Sequence, residues 1–507
     1  MTERMTSADV AFLHRESDNA PQHVGGLAIF APRPGGFEYD RLVRLLEERI
    51  SLAPRYRQRV RMVPGNLANP LWLDDSTFDI TYHVRRSALP RPGTDEQLLE
   101  FCARIQARLL DRSRPLWEMY LVEGLAEGRV AVVTKTHQAM VDGRRGIDLM
   151  HVLLDAAPEP RRTVQALWMP QPEPGSVQLI RDALADVARR PAGVVEAARA
   201  GLHDVGATVG RIGAFGSGLT SAAWGAAQRR PSSPLRVNLS EQRRLAIART
   251  RLSDYRAVRD AFGGTVNDVV LAVVAGALRG WLLGRGEALR PGTSVRALVP
   301  VSVTDIDAAP PSAATRALRQ GSQHPALMRS DQPTLREARV RPLLVDLPVG
   351  EGDPVLRLAQ LRYAMASHAA SGRAVSADRI VELGGFAPPT LLAVGARAAA
   401  GLAGRMFSLV ITNVPGPQLP LYASGARMTE MFPILPLAQG QAISIALSSY
   451  DGGVYYGVNG DRDAVPDLSS VAELIEESLA ELFAAAASDP VVSAGGSYPR
   501  RPPQERL

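Results

Sequence analysis

The 507-residue chain has one cysteine, Cys102, one lysine, Lys135, and only 5% aromatic residues. A single thiol excludes a disulfide framework and most cysteine-based metal sites. It suits a reducing compartment, where the simplest reading of Cys102 is an inert buried thiol. Arginine replaces lysine almost everywhere, no Lys/Arg-rich block appears and no basic run is interleaved with aromatics; the formal net charge is only +6. Nucleic acid is therefore not an expected partner, although a mildly basic surface favours acidic lipid or a phosphate-bearing substrate. No stretch reaches 18 uninterrupted apolar residues. Residues 387–410 are broken by Pro388, Pro389, Arg397 and Arg405, and residues 213–227 by glycines. The chain is not expected to span a membrane, and no charged-then-apolar leader opens it.

What is present is a globular composition, 46% hydrophobic and 22% charged, at a length that implies two domains. Residues 1–156 read as mixed α/β. A short strand is expected at 26–30, helices at 39–50 and 98–110, and paired strands at 117–122 and 129–134. Residues 157–234 read as a crossover linker, proline-rich at first and then amphipathic near 177–188 and 192–209. From Val205 to Ser240 it carries no Asp or Glu. That segment either packs across both domains or rests on lipid. Residues 235–488 read as a second α/β domain, with helices at 254–262, 265–283, 353–370 and 468–487. Its expected strands lie at 295–303, 343–347, 407–412, 442–450 and 454–459. Thr265 or Asn267 caps the second helix, and Asp451-Gly452-Gly453 signals a hairpin. Residues 304–339 read as a surface insertion and 489–507 as a disordered tail.

The most informative segment is 131–143, AVVTKTHQAMVDG. A short apolar β run leads out to a polar knot of Lys135, His137, Gln138, Asp142 and Gly143. A strand ending in His and Asp-Gly can present a base at the mouth of a pocket. Gln138 stands where that base is expected, and an amide cannot take up a proton at neutral pH. If the segment stays extended, residues 137 and 138 point to opposite faces and His137 faces the core. His137 is then either a structural histidine or, through a local bend, the base itself. Asp142 is read as orienting the loop by pairing with an arginine, and Gly143 as permitting a tight turn into a helix that runs to about Leu154.

Eight segments in order resemble the bacterial wax ester synthase/diacylglycerol acyltransferase family. They are SADVAFLHRESDNAPQHVGGLAIF (7–30), PRYRQRV (54–60), FDITYHV (78–84), SRPLWE (113–118), the knot itself, GTVNDVV (264–270), VPVSV (299–303) and TNVPGP (412–417). The resemblance implies two chloramphenicol acetyltransferase-like domains, each an α/β unit with a mixed sheet, with a tunnel between them. It also implies acyl transfer from acyl-CoA to diacylglycerol or a long-chain alcohol. The family motif is two adjacent histidines, three variable residues, then Asp-Gly, and its second histidine deprotonates the acceptor hydroxyl. Here the motif positions are His137, Gln138, Asp142 and Gly143. The resemblance further marks Asn267, Asp268, Pro300 and Ser302 as site support or substrate contacts, with helix capping as the plainer reading of Asn267-Asp268. Two features depart from the pattern: Thr304 replaces an arginine, and no Gly-Asn pair precedes the strand at 343–347.

Three functions follow. The first is an O-acyltransferase using acyl-CoA as co-substrate, with no metal or redox cofactor, slowed by Gln138. The second is a non-catalytic member that binds acyl chains or acyl-CoA. The third is an acyltransferase for an acceptor that is already ionised. The expected location is cytoplasmic, with peripheral contact at the inner membrane face or on lipid inclusions.

Overall fold

The computed structural model describes residues 3–32, 37–141, 149–160, 168–189, 233–303, 339–371 and 406–488. Along the first half run β1 (Glu3–Arg4), α1 (Ser7–Arg15), β2 (His23–Phe30), α2 (Tyr39–Arg49), β3 (Gln58–Arg61) and β4 (Leu71–Asp74). They are followed by α3 (Ile80–His83), β5 (Val84–Ala88), α4 (Asp95–Ala107), β6 (Trp117–Glu123), β7 (Val130–His137), α5 (Gln138–Val141), α6 (Leu149–Leu153) and α7 (Ser176–Arg189). The second half opens with β8 (Arg243–Arg251), α8 (Leu252–Phe262), α9 (Val266–Gly284), β9 (Val295–Val303), β10 (Arg339–Leu347) and α10 (Pro354–Ser371). It closes with β11 (Leu409–Pro415), β12 (Tyr422–Ala423), β13 (Ala426–Ile434), β14 (Ile443–Tyr450), β15 (Gly453–Asp461) and α11 (Leu468–Ser488).

Local chemistry accounts for most of these elements. The expected helix at 98–110 lies instead at Asp95–Ala107, because Thr94 and Gln97 form a capping box that sets its start. Its Leu98, Cys102 and Ile105 then fall on one buried face. In α11, Leu468, Val471, Ile475, Leu479 and Leu482 form the same kind of stripe. Asp451 and Gly452 take positive φ, 45° and 82°, and turn β14 into β15. Helix α9 is long and apolar enough to cross a membrane. Its apolar side chains between Val269 and Leu282 instead fill the core of the second unit. Each large aliphatic so buried contributes about 1.5–3 kcal/mol.

Three sheets organise the described residues. Strands β1, β4 and β3 form a small one, onto which α7 packs Leu179 and Ala183. The second half supplies a six-stranded mixed sheet, β10-β9-β11-β14-β15-β8, with α8, α9, α10 and α11 on one face. The first half supplies another, β12-β13-β2-β7-β6-β5. The division drawn at residue 235 is therefore crossed. Residues 422–434, far along the second half, complete the first sheet, where β13 pairs antiparallel with β2. Strand β13 also lies across the other face of the second sheet. There Leu435 O accepts Ser444 Oγ at 2.9 Å and Asn459 Nδ2 at 2.8 Å, and Arg249 joins Glu430 and Asp95 at 2.8 and 2.7 Å. Backbone pairing over this sequence distance leaves no local periodic signature, so β13 is absent from the sequence reading.

Candidate functional site

The site begins at the end of β7, in the middle of the first sheet, flanked by β2 and β6. The strand is longer than expected and runs through His137. Its alternation sends Ala131, Val133, Lys135 and His137 to one face, where Ala131 and Val133 pack against α4, and all four are buried. The chain does not stay extended past His137: residues 138–141 form one helical turn, α5. Gln138 N–H donates to Gln22 O at 2.9 Å, and Gln138 is half-buried. Ala139 and Met140 turn into the core of the first unit.

His137 is fully buried, and both ring nitrogens face protein. Nδ1 accepts Ala139 N–H at 3.1 Å, and Nε2 lies 3.5 Å from Glu16 Oε1. Glu16, just past α1, is the hub of this cluster. The same Oε1 is 2.9 Å from Nε2 of His23, the residue paired with His137 across the ladder, and Oε2 accepts Arg112 Nη2 at 2.7 Å. Neither imidazole nitrogen is aligned for a full hydrogen bond, so one carboxylate oxygen is shared between two rings. Burial opposes the charge on Glu16, but its contacts with His137 and His23 hold the carboxyl well below the usual carboxylate range. Burial pushes His23 down to about 4 despite Glu16, so its ring is neutral near pH 7.

Lys135 does not reach the motif turn. Its ammonium donates to Ile105 O at 2.9 Å and to Arg108 O, closing the C-terminus of α4. Burial pushes it down to about 8, against the attraction of Glu118 and Glu16. Cys102 is buried in the same layer with its thiol pushed up to about 12, an inert group.

The other sequence candidates are placed as follows. Asp142 and Gly143 lie outside the described residues, as do 192–209, 304–338 and the tail from 489. So does most of the Asp- and Glu-free segment, from 205 to 232. The segment after the motif is anchored at Asp155, which pairs with fully buried Arg49 at 2.8 Å; Arg49 also donates to Val152 O and Leu153 O. Asp268 closes a capping box at the start of α9. Thr265 N–H donates to its carboxylate at 2.8 Å, and its own N–H donates to Thr265 Oγ1 at 3.1 Å. Asn267 Oδ1 receives Asn413 Nδ2 at 3.4 Å, which ties α9 to β11. Pro300 and Ser302 lie on β9, opposite Pro342 and Val340 of β10. Among the described residues, strand β9 pairs with β11 at Ala297–Leu409 and Leu298–Val410, before reaching either residue.

Glu16, His23 and Arg112 were not singled out from sequence. They come from three separate stretches of the chain: pairing of β2 with β7 sets His23 beside His137, and Glu16 reaches both rings and Arg112. A cavity of about 400 Å³ lies at the other end of β7, beside Val130, Arg129 and Arg86. An eight-residue strand spans roughly 25 Å, so this cavity is remote from the motif turn.

A family model described as the wax ester synthase/diacylglycerol acyltransferase catalytic domain matches residues 5–270, and one for the WS/DGAT C-terminal domain matches 339–483. The chain belongs to the wax ester synthase/diacylglycerol acyltransferase family. Among family members, a probable diacylglycerol O-acyltransferase of Mycobacterium tuberculosis, tgs1, is 32% identical over 491 residues, 95% of this chain and 96% of that one. Another, tgs3, is 42% identical over 260 residues, 51% of this chain and 96% of that one. The wax ester synthase/diacylglycerol acyltransferase from Marinobacter aquaeolei VT8 superposes with a TM-score of 0.64 at 26% identity, covering 96% of this chain and all of the other. The first condensation domain of the CDA synthetase, 16% identical, superposes at 0.53 over 96% of this chain and 97% of its own, a likeness of fold alone. The fold is thus a chloramphenicol acetyltransferase-like pair of α/β units with mixed sheets.

Proposed function

We propose that this family member transfers an acyl group from acyl-CoA to a diacylglycerol or a long-chain alcohol, making triacylglycerol or wax ester, and that it does so slowly. In the reaction the acceptor oxygen attacks the thioester carbonyl, a C–O bond forms, and the C–S bond breaks. The hydroxyl proton finishes on the departing CoA sulfur or in solvent. The acyltransferase assignment rests on the family and on relatives named diacylglycerol O-acyltransferases. The expectation of slow turnover rests on one observation. The side chain at the turn is the amide of Gln138, and the adjacent imidazole, His137, is buried with each nitrogen directed at a protein group. Gln138 Oε1 can accept a hydrogen bond from the acceptor hydroxyl and orient it. It cannot remove the proton, and a missing general base costs about 10²- to 10⁴-fold. Proximity and orientation still supply rate, and a thiolate of pKa about 8.5 leaves without an acid.

The same observation favours a second reading, a non-catalytic protein that holds acyl-CoA or acyl chains. CoA release from palmitoyl-CoA with hexadecanol and with dioleoylglycerol separates the two. The expected result is slow release by the wild type and a gain of about 10²-fold or more in Gln138→His. Silence of both proteins with palmitoyl-CoA still bound selects the non-catalytic reading. Abolition of wild-type activity by His137→Ala, with folding intact, would make His137 the base. The proposed location is cytoplasmic, with peripheral contact to lipid, on the grounds that both acceptors are lipids.

A further inference from the structure

Five groups from separate parts of the chain meet behind the motif turn. Glu16, after α1, has a side chain only 2% exposed. Its Oε1 faces Nε2 of His23 on β2 and Nε2 of His137 on β7, at 2.9 and 3.5 Å. Its Oε2 is held by Arg112 Nη2 at 2.7 Å and Nε at 3.2 Å. On the far side of the His137 ring, Nδ1 accepts the backbone N–H of Ala139. One residue before Ala139 is Gln138, whose own N–H is held by Gln22 O.

A neutral imidazole has one donor and one acceptor nitrogen, and the partner at one nitrogen decides the state of the other. Nδ1 of His137 can accept Ala139 N–H only while the ring proton sits on Nε2. A carboxylate facing Nε2 selects that tautomer. Without it, the Nδ1–H tautomer competes and sets two donors, Nδ1–H and Ala139 N–H, against each other at the start of α5. That conflict would loosen the turn at residue 138.

We propose that Glu16 is a positioning residue for the transfer reaction: its carboxylate fixes His137 as the Nε2–H tautomer, and the ring then pins the Ala139 amide and sets the direction in which residue 138 faces its substrate. Glu16 itself touches no reacting atom. The first motif histidine thereby acts as a strut between a buried charge and the backbone of the next turn, and His23 braces the same oxygen from the neighbouring strand. Arg112 engages the second oxygen, Oε2, and leaves Oε1 to the two rings.

This inference rests on the acyltransferase reading for its kinetic consequence but not for its geometric one, so two measurements keep the failures apart. The first is nitrogen NMR of the full chain labelled at histidine, with assignment by His23→Asn and His137→Asn. The wild type is expected to show His137 with a bare, hydrogen-bonded Nδ1 and a protonated Nε2, and Glu16→Ala a mixture of tautomers. A protonated Nδ1 in the wild type overturns the proposal. The second is CoA release from palmitoyl-CoA with hexadecanol in the Gln138→His background. Adding Glu16→Ala is expected to lower kcat by about 10- to 100-fold with KM for palmitoyl-CoA unchanged, by analogy with the loss of an outer partner of a metal-bound histidine. Glu16→Gln retains one oxygen for Nε2–H and is expected to recover most of that loss. An unchanged kcat in a folded Glu16→Ala protein overturns the proposal, as does an equal loss in Glu16→Gln and Glu16→Ala. If Glu16→Ala does not fold, Glu16→Gln and the wild-type spectrum still decide. If no protein releases CoA, the acyltransferase reading fails, and the tautomer of His137 alone decides the role of Glu16.

Discussion

At the start of α9, Thr265 and Asp268 answer each other across three residues, and the pair would form in any helix that began there. At the end of β7, His137 answers Glu16, which belongs to another element, and Ala139, which it can reach only if Glu16 has set its tautomer. Both segments carry residues that the family resemblance marks for function. One is a short-range device at the end of a helix. The other is a long-range one, built from ionisable groups removed from water. Short-range polar pairs contribute modestly and fail locally. Buried charged groups contribute through their whole neighbourhood, and a single lost partner leaves an uncompensated charge.

The sharpest way to break the comparison is at Asp155, which anchors the segment following the motif. Asp155→Ala removes the carboxylate that pairs with the fully buried Arg49 and is expected to cost about 3–5 kcal/mol in urea unfolding. A loss under 1 kcal/mol would mean that this side of the motif is no more dependent on buried charge than the helix cap is.

Acid is the next lever. The folded His23 has its pKa pushed down to about 4, below the unfolded value near 6.5, so the folded protein binds fewer protons between those limits. Its contribution is intact above pH 6.5 and is lost as pH falls toward 4. The slope is about 1.4 kcal/mol per pH unit at its steepest, and the loss levels off below pH 4. Glu16, held low in the fold, adds loss in the same direction below its ordinary range. The urea midpoint should fall across this window, and His23→Asn should flatten the fall. An unchanged slope in that variant would remove His23 from the acid response.

The smallest expected effect belongs to the helix cap. Thr265→Ala should cost about 1 kcal/mol with little dependence on pH. A cost above 3 kcal/mol would show that the α9 start is coupled to the rest of the site, through Asn267 and Asn413.

The sequence carried the fold wherever the cause was local. Apolar stripes mark α4 and α11, the Thr265 cap marks α9 and the Asp451-Gly452 turn marks the β14–β15 hairpin, and the structure places elements there with boundaries moved by a few residues. Strands β8 and β13 were missed for two reasons. Arginines at 243, 244, 249 and 251 blur the alternation of β8. The partner of β13 is β2, so close in space that Thr429 Oγ1 donates to Ile29 O at 3.1 Å across nearly the whole chain. The site divides the same way. That an amide stands at residue 138 is plain from sequence, and strand alternation puts His137 on the buried face of β7. That the strand gives way to a helical turn at 138 was not visible. Nor was it visible that Lys135 closes a helix, or that Glu16 lies between two histidines.

Sequence alone determined which atoms are available: an amide at 138, an imidazole at 137, one lysine, one thiol, and the order of segments that marks the family. Tertiary structure decided what those atoms face, because a proton's position on an imidazole, or the charge state of a buried carboxyl, is set by partners within about 3 Å. Those partners come from strands and loops that only the finished sheet brings together.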